Sequence, residues 1–518
     1  MGVPDVEWGM FVRRKRNASG SVSVQIIDKS NGYKVVKTLG SATDPDDIER
    51  LVHEAAQIIR NINERQIKMF SSLTPEDLAI ENFLSGLANA QVRTIGPELI
   101  FGTLFDRIGF GAVPEELFRH ITIARLAYPV SKLKTVDYLF RYRGLTIDVN
   151  RVYRFLDRMH AGCQEQVEQI AYEHTKKILA GHISVVFYDL TTLYFEAEEE
   201  DDLRRIGFSK DGKFTCPQIL LGLLVGKNAY PIGYDIFEGN TFEGHTLIPV
   251  LKRIRKKYGL EKPIVVADAG LLSKKNLEAL SEQDYEYILG ARIKNESRVV
   301  QLRILKKAKG IRNGQSFEVQ KPGAARLIVT FSEKRARKDA KNREKGLRRL
   351  RARLGSEKLA KKHINNRGYN KFLKLTGDVS LAIDEGKVKA DEPWDGLKGY
   401  VTKTRLKPDD VIEHYGHLWQ IEKAFRISKT DLRVRPMFHH KRGRIEAHVC
   451  IAFAAYAIYK ELERLLIKRG VKISPKRAAE LTQTMYEIEY VLPGTKDVRK
   501  KLLKMDEEQQ LLHDVLIW

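Results

Sequence analysis

The sequence predicts an α/β core that is preceded by a helical region and a small N-terminal β unit, and is interrupted by a β-rich, basic insertion. Two apolar, strand-like runs indicate the core, ISVVFYDLTTLYF at 183–195 and PIVVADA at 263–269, and they deliver Asp189 and Asp268. The third observation is Glu422, which falls on the apolar stripe of a predicted helix. A strand-end aspartate alone is also a common turn or cap residue. Three carboxylates from separate apolar elements instead predict a shared site.

The composition points to a polyanionic partner. The 518 residues carry a net charge of +23 with a pI near 9.6, which favours nucleic acid over a membrane surface. A soluble basic protein without such a partner is the alternative. Three distant cysteines without a CxxC pair indicate neither a zinc knuckle nor a disulfide framework. No signal peptide is apparent, and the longest apolar run, 449–459, is too short to span a bilayer. We therefore expect a cytoplasmic protein without membrane contact.

Two regions precede the core. Residues 1–75 are predicted to form a small basic sheet and then a helix from Pro45 towards Lys68, because strand-like runs alternate with turn signals. This unit is interpreted either as a DNA-contacting module or as an ordinary subdomain with a solvated basic edge. Residues 76–180 show helical periodicity and are interpreted as a region that connects the domains or grips DNA.

The predicted core occupies residues 181–294 and 405–470. Its elements are expected in the order of three strands in a meander, a helix, a strand, a helix and a strand. This is the order of the ribonuclease-H-like fold, in which the first and fourth strands end side by side. Because Asp189 and Asp268 close those two strands, we expect them to be neighbours.

The segment between the two halves of the core, 295–404, is predicted to be an insertion domain with short strands, the first of them at 298–305. Its stretch from Glu333 to Arg367 carries fifteen Lys and Arg against four Asp and Glu, and a thin leucine stripe indicates a helix. We interpret this stretch as an arm along DNA phosphates, with a solvated helix face as the alternative. Residues 471–518 are predicted to form a helical tail that is a candidate for dimerisation.

A late helix is predicted from Asp409 to about Ser428. Glu422 follows Tyr415 by seven residues and precedes Phe425 by three, so the pattern predicts that Glu422 lies on the buried face. Converging carboxylates without His or Cys favour hard cations, Mg²⁺ or Mn²⁺. Two such ions suit phosphodiester chemistry, because one activates the attacking oxygen and the other stabilises the leaving oxygen.

Three motifs resemble those of bacterial insertion-sequence transposases of the DDE type. They are YDLTTLYF from Tyr188, IVVADAG from Ile264 and YGHLWQIEKAFRISK from Tyr415 to Lys429. The last motif has the spacing of the family's Y-x2-R-x3-E-x6-K signature, with Leu418 where the best-known members carry Arg. The segment 433–448 also resembles this family, and the resemblance covers roughly residues 95–460.

The resemblance implies cleavage of double-stranded DNA at terminal inverted repeats and strand transfer into target DNA, by a synaptic homodimer in the bacterial cytoplasm or nucleoid. It implies that Asp189, Asp268 and Glu422 are the catalytic metal ligands, with Mg²⁺ or Mn²⁺ as cofactor. Tyr415 and Lys429 would hold phosphates, while Trp419 would either stack on a flipped base or pack in the core. Further DNA contacts are expected from Arg426, Arg433 and Arg435, and Arg426, Arg433 or His417 would replace the arginine absent at position 418.

Other interpretations use different residues. A tyrosine recombinase would use the HxxR at 439–442 with Tyr456, but that tyrosine lies in an apolar helix and the carboxylates stay unexplained. A non-catalytic DNA-binding protein derived from a transposase would keep the basic surfaces alone. A nucleotide-binding enzyme is disfavoured, because GLLVGKN at 222–228 lacks the spacing and the Ser or Thr of a phosphate loop. The acidic run at 196–202 lies beyond the first strand and is expected to be solvated rather than catalytic.

Overall fold

The fold is seen in a computed structural model. It describes residues 10–29, 32–70, 74–88, 91–209, 212–260, 262–271, 273–321, 325–355, 365, 368–376, 380–492 and 497–517. The chain divides into two units, residues 1–91 with 490–499 and residues 92–489 with 500–518.

The first unit contains the predicted basic sheet. Its elements are the antiparallel strands β1 (Met10–Arg16), β2 (Val22–Asp28) and β3 (Lys34–Ala42), then α1 (Pro45–Phe70) and α2 (Pro75–Ser85). Val24 and Ile26 of the central strand share a small core with Ala55 of α1, since alternate residues of a strand face the same side. The predicted strands and helix are confirmed, whereas DNA contact by this unit stays a prediction.

The second unit begins with the predicted helical region. Its elements are β4 (Val92–Thr94), α3 (Thr103–Ile108), α4 (Glu116–Ala127), α5 (Lys132–Arg143), α6 (Val149–Arg158) and α7 (Gln164–Ile178). Ser131 and Asp148 cap α5 and α6, because each side chain accepts a hydrogen bond from a free amide of the first turn. The apolar faces of these helices form one core with one face of the central sheet.

The central sheet follows the predicted order. Its elements are β5 (Val185–Tyr194), β6 (Gln218–Val225), β7 (Pro231–Glu238), α8 (Leu247–Tyr258), β8 (Ile264–Ala267), α9 (Lys274–Glu282) and β9 (Tyr287–Ala291). β5 pairs parallel with β8 and antiparallel with β6, and β8 pairs parallel with β9. The first and fourth strands are therefore neighbours, as the ribonuclease-H-like order requires.

The predicted insertion extends this sheet. Its elements are α10 (Arg298–Ala308), β10 (Ser316–Gln320), β11 (Arg326–Phe331), α11 (Glu333–Gly355), β12 (Leu373–Thr376), β13 (Ser380–Ile383), α12 (Glu385–Asp391) and β14 (Leu397–Thr402). β14 pairs with β9, and β11 and β10 follow at the edge. The insertion therefore contributes three strands to the core sheet.

Two predictions for the insertion have different outcomes. The strand expected at 298–305 is wrong: Ser297 caps a helix there, and Val300 and Ile304, spaced by one turn, are buried. The helix expected in the basic stretch is confirmed as α11, where Leu347 and Leu350 pack into a small core. Residues 356–364 and 366–367 of the predicted arm lie outside the described residues.

The C-terminal elements belong to the second unit, except for residues 490–499, which belong to the first. They are α13 (Pro408–Gly416), α14 (Trp419–Arg426), α15 (Arg442–Lys468), α16 (Pro475–Thr482), β15 (Tyr486–Val491), β16 (Val498–Leu502) and α17 (Glu507–Ile517). The late helix is thus two helices rather than one. The tail is not purely helical, because Tyr486 and Ile488 pair antiparallel with β4. Among the described residues, no helix combines the length and apolar character needed to cross a bilayer.

Candidate active site

Two aspartates meet at one level of the central sheet. The last register pair between the parallel strands β5 and β8 is Tyr188 with Ala267. Asp189 follows Tyr188 within β5, and Asp268 follows the last residue of β8, so the two aspartates leave the paired segment side by side. β5 does not end at Asp189, as the sequence predicted, but continues antiparallel to β6 as far as Tyr194. Asp189 therefore lies in mid-strand, at the point where pairing with β8 stops.

Asp189 lies on the sheet face that packs against the C-terminal helices. Side chains alternate along a strand, and Phe187 and Leu193, which share the parity of Asp189, belong to the core that includes α14 and α15. Tyr188 and Leu190 belong to the core on the other face, with α8. α14 packs directly on β5. The helix that bears Glu422 is therefore on the same face as Asp189.

The end of α13 supplies a hydrogen bond to Asp268. The buried Tyr415 donates its hydroxyl to Asp268 Oδ1 at 2.8 Å. Burial raises the pKa of Tyr415 well above 10, and the charges of Asp268 and Asp189 raise it further. The phenol therefore stays protonated and remains a donor. Gly290 of β9 makes room for it, because a Cβ there would lie 2.5 Å from the Tyr415 hydroxyl oxygen.

Sequence reasoning missed a lysine beside this pair. Lys398 of β14 places its ammonium 4.4 Å from the centroid of the Tyr415 ring. Burial lowers the pKa of Lys398 and so does Arg335 of α11, while the charges of Asp268 and Glu422 oppose that shift. Lys398 is therefore electrostatically coupled to two of the three predicted carboxylates. The sequence signal was the single charged residue of the strand LKGYVT.

Glu422 is exposed, which corrects the prediction that it lies on a buried face. α13 ends before residues 417–418 and α14 begins after them. The helical spacing counted from Tyr415 therefore does not predict which residues of α14 are buried. Within α14 the buried side includes Ile421 and Phe425, and Glu422 lies at its edge. In the part of the chain that the structure describes, no group of three or more His, Cys, Asp or Glu side chains is arranged to hold a metal ion. The observed arrangement is an aspartate pair, with Glu422 on a neighbouring helix.

The residues predicted to contact DNA fall into two groups. Trp419 is 55% exposed, so core packing is excluded and its ring faces solvent. Arg426 is also exposed on α14, and Lys429 lies half-buried in the π-helical turn that follows it. Arg433 and Arg435 lie further along the chain and line a separate cavity.

The competing interpretations meet specific obstacles. Tyr456 is 1% exposed and donates its hydroxyl to the Ala229 carbonyl at 2.7 Å, so it is not positioned as the nucleophile of a recombinase. In the acidic run, Asp201 binds Arg204 at 2.6 Å, and Glu200 accepts a hydrogen bond from the Ile206 amide. These two carboxylates therefore brace a loop.

This chain is similar to one protein family and to solved structures of known proteins. The family model described as transposase DDE domain matches residues 181–458, more than half of the chain. Among solved structures, a synaptic complex of piggyBac transposase with hairpin DNA is similar at 11% identity and a TM-score of 0.38, over 75% of this chain and 78% of that chain. A paired-end complex of Mos1 transposase with the left transposon end is similar at 11% identity and a TM-score of 0.16, over 33% and 58%. No curated protein matches. By the family match, the chain belongs to the transposase DDE-domain family.

Proposed function

We propose that this protein is a bacterial insertion-sequence transposase of the Y-R-E-K type, which cuts double-stranded DNA at terminal inverted repeats and joins the ends to target DNA as a synaptic homodimer. The observation that carries the proposal is the pair Asp189 and Asp268, adjacent within the matched domain. Adjacent carboxylates suit phosphodiester chemistry assisted by a divalent cation. The net charge of +23 suits a DNA substrate.

Asp189, Asp268 and Glu422 would hold Mg²⁺ or Mn²⁺. The donor chemistry fits, because Mg²⁺ in proteins is usually bound by one or two carboxylates together with waters and substrate phosphates. The aspartate pair offers those two ligands, and the exposed Glu422 would join them when DNA is bound. Such ions, when bound, activate the attacking oxygen and stabilise the leaving oxygen in an in-line displacement.

The other residues of the site orient ligands and hold DNA. The Tyr415 hydroxyl occupies one oxygen of Asp268 and would thereby fix the orientation of that carboxylate. Lys398 would bring positive charge to the phosphate under attack, since it already lies beside Tyr415. Lys429 would hold a second phosphate, and the exposed ring of Trp419 would stack on an unpaired base.

The test is Mg²⁺-dependent cleavage of a duplex that carries the DNA ends flanking the protein's own gene, with products mapped on both strands. We expect Asp189→Asn to abolish cleavage and to change DNA affinity by less than about twofold, because a metal ligand is lost but no phosphate contact. Glu199→Gln is the matched control, since Glu199 is an exposed carboxylate in the loop after the same strand. Equal loss in both variants would contradict the role of Asp189.

A second candidate function is non-catalytic DNA binding by a protein derived from a transposase. The observation that favours it is the exposure of Glu422, with no group of three metal ligands among the described residues. The same assay separates the two candidates. A wild-type protein that binds the ends equally well in Mg²⁺ and in EDTA, and never cuts them, would establish the second.

A further inference from the structure

A cavity of about 610 Å³ lies between the start of α5 and the segment that leads into α15. Its wall contains seven Lys and Arg side chains and, among the described residues, no Asp or Glu. Arg125 and Lys132 stand on one side of this basic pocket, and Arg433 and Arg435 stand on the other. One of the seven, Arg444, is paired with Asp157 at 2.7 Å. The others still bring positive charge to the cavity from segments that are far apart in the sequence.

Two of these cations are almost fully removed from water. Arg125 is 6% exposed and Lys132 is 5% exposed. Arg125 donates through Nη1 to the carbonyls of Leu432 and Arg433, at 3.5 and 3.4 Å. The ammonium of Lys132 has no hydrogen-bond or ion-pair partner among the residues that the structure describes. Burial of a charged group is costly unless an opposite charge or hydrogen bonds compensate it.

Buried cations elsewhere in the described chain are compensated. Arg204, which is 5% exposed, binds Asp201 at 2.6 Å, and Lys460, also 5% exposed, is ion-paired with Glu463. Lys132 differs from both, although its burial is the same. The lack of a compensating partner for a buried cation is therefore a feature of the basic pocket and is not shared by Arg204 and Lys460.

His448 adds an unsatisfied polar atom to the same wall. Its Nε2 donates to the Val434 carbonyl at 3.2 Å, so Nδ1 carries a lone pair. That Nδ1 is buried and has no hydrogen-bond partner among the described residues. A phosphodiester has no proton to donate, so a water rather than the phosphate itself would complete the bonding of this lone pair.

The backbone adds to the preference for an anion. α5 begins at Lys132 and is twelve residues long, and its N-terminus, capped by Ser131, lies in the pocket wall. The first amides of a helix and the helix dipole favour a negative group. Arginine forks and a lysine ammonium are the side chains that most often bind phosphate oxygens.

We propose that the basic pocket binds a phosphate group of a DNA strand. Arg435 connects the pocket to the catalytic strand, because its guanidinium lies 5.7 Å from the centroid of the Tyr194 ring. Tyr194 is five residues beyond Asp189 on β5, so the pocket adjoins the strand that carries the first aspartate. The assignment of this phosphate to DNA rests on the proposed function, whereas the arrangement of charged side chains around the pocket does not.

The test compares the full-length wild type with Lys132→Met and with Lys177→Met, both in EDTA, so that no metal-dependent step contributes. Lys177 is exposed on α7, and its substitution changes the net charge equally. We expect Lys132→Met to weaken binding of a duplex carrying the transposon end by about tenfold, and Lys177→Met to weaken it by less than about twofold. Because no cleavage is measured, a failure of the proposed catalytic function would not affect this result.

Thermal unfolding in inorganic phosphate, compared with chloride at equal ionic strength, helps to distinguish a DNA phosphate from a small phosphorylated ligand as the occupant of the pocket. The proposal is supported if phosphate gives a saturable rise in the Tm of the wild type but not of Lys132→Met, and if Lys132→Met also binds DNA more weakly. Weaker DNA binding by Lys132→Met without a phosphate response supports the proposal as well. A phosphate response without any DNA effect would assign the pocket to a small phosphorylated ligand and overturn the DNA assignment. Equal behaviour of the two variants in both assays would overturn the pocket itself.

Arg433→Asn is a second variant in case Lys132→Met does not fold. Arg433 has a φ of 44°, a region in which Asn is tolerated better than most residues. This substitution removes a cation from the opposite wall of the pocket. The same tenfold loss of DNA affinity is expected, and unchanged affinity in a folded Arg433→Asn variant would count against the proposal.

Discussion

Buried charges near the two ends of α15 differ in whether the chain itself compensates them. Towards its C-terminus, Glu461 binds Arg464 at 2.6 Å, and Lys460 is paired with Glu463. At its N-terminus, the basic pocket holds Lys132 without a carboxylate partner in its described wall. Charges of the first kind are satisfied by the chain and stabilise the fold. Charges of the second kind are satisfied only by a partner, so the difference separates structural from functional charge.

The same contrast applies to the carboxylates. Glu461 accepts hydrogen bonds from the cation Arg464, whereas Asp268 accepts one from Tyr415, a neutral phenol. A neutral donor orients a carboxylate without cancelling its charge. Glu461 is therefore paired directly with a cation, whereas Asp268 makes no ion pair among the described residues and interacts with Lys398 only at longer range.

The largest expected effect is the loss of cleavage in Asp268→Asn. The amide keeps an oxygen for the Tyr415 hydroxyl but removes the negative charge, so we expect single-turnover cleavage in Mg²⁺ to fall by about a thousandfold or more. DNA affinity, measured by gel shift in EDTA, should change by less than about twofold. Normal cleavage would show that the charge of Asp268 has a structural role, as that of Glu461 does.

A large effect on stability is expected from Glu461→Gln. Although burial opposes it, hydrogen bonds from Arg464 and His174 lower the pKa of Glu461 from 4.5 to about 2. Because the folded-state pKa lies below the unfolded one, this stabilisation is present above pH 4.5 and is lost as the pH falls towards 2. Denaturation at pH 7 should show a loss of about 3 kcal/mol in the free energy of unfolding.

The pH dependence provides the control for Glu461→Gln. The difference in stability between wild type and variant should shrink steadily between pH 4.5 and 2. A loss that stays constant over this range would show that the glutamine disturbs packing, and that the ion pair itself contributes little.

A smaller effect on rate is expected from Tyr415→Phe. Loss of the hydrogen bond to Asp268 should slow cleavage by about tenfold, because the carboxylate is less well oriented. The pH profile should keep its shape, since the raised pKa of Tyr415 lies above the assay range. Tyr400→Phe is the matched control: its ring lies 4.8 Å from that of Tyr415, and it should cleave at the wild-type rate. Equal slowing in both would point to altered packing.

The smallest expected effects are opposite shifts in stability at two buried lysines. Lys132→Met should raise the free energy of unfolding by about 1 kcal/mol in the absence of DNA, because an uncompensated buried charge is replaced by an apolar chain. Lys460→Met should lower it by about 1 kcal/mol, because an ion pair with Glu463 is lost. Urea denaturation measures both. Shifts of the same sign would erase the distinction between the two ends of α15.

The strands that carry the aspartates were predictable because their signals are local. Apolar, β-branched runs form buried strands wherever they are covered on both faces, and the runs before Asp189 and Asp268 do so. The order of the elements then implied that these two strands are parallel neighbours. The helix at 298–308 was missed, although Ser297 at its start and apolar residues four apart were visible.

The sequence by itself thus determined the central strands, the two aspartates at their shared level and the excess of positive charge. Only the tertiary structure decided that Glu422 is exposed, because α13 and α14 are separate helices and the buried face of α14 does not continue that of α13. It also decided that Lys132 is buried among cations. The pocket is closed by contacts such as that of Arg125 with Leu432, 307 residues away, and burial set by such distant segments leaves no pattern in a local stretch of sequence.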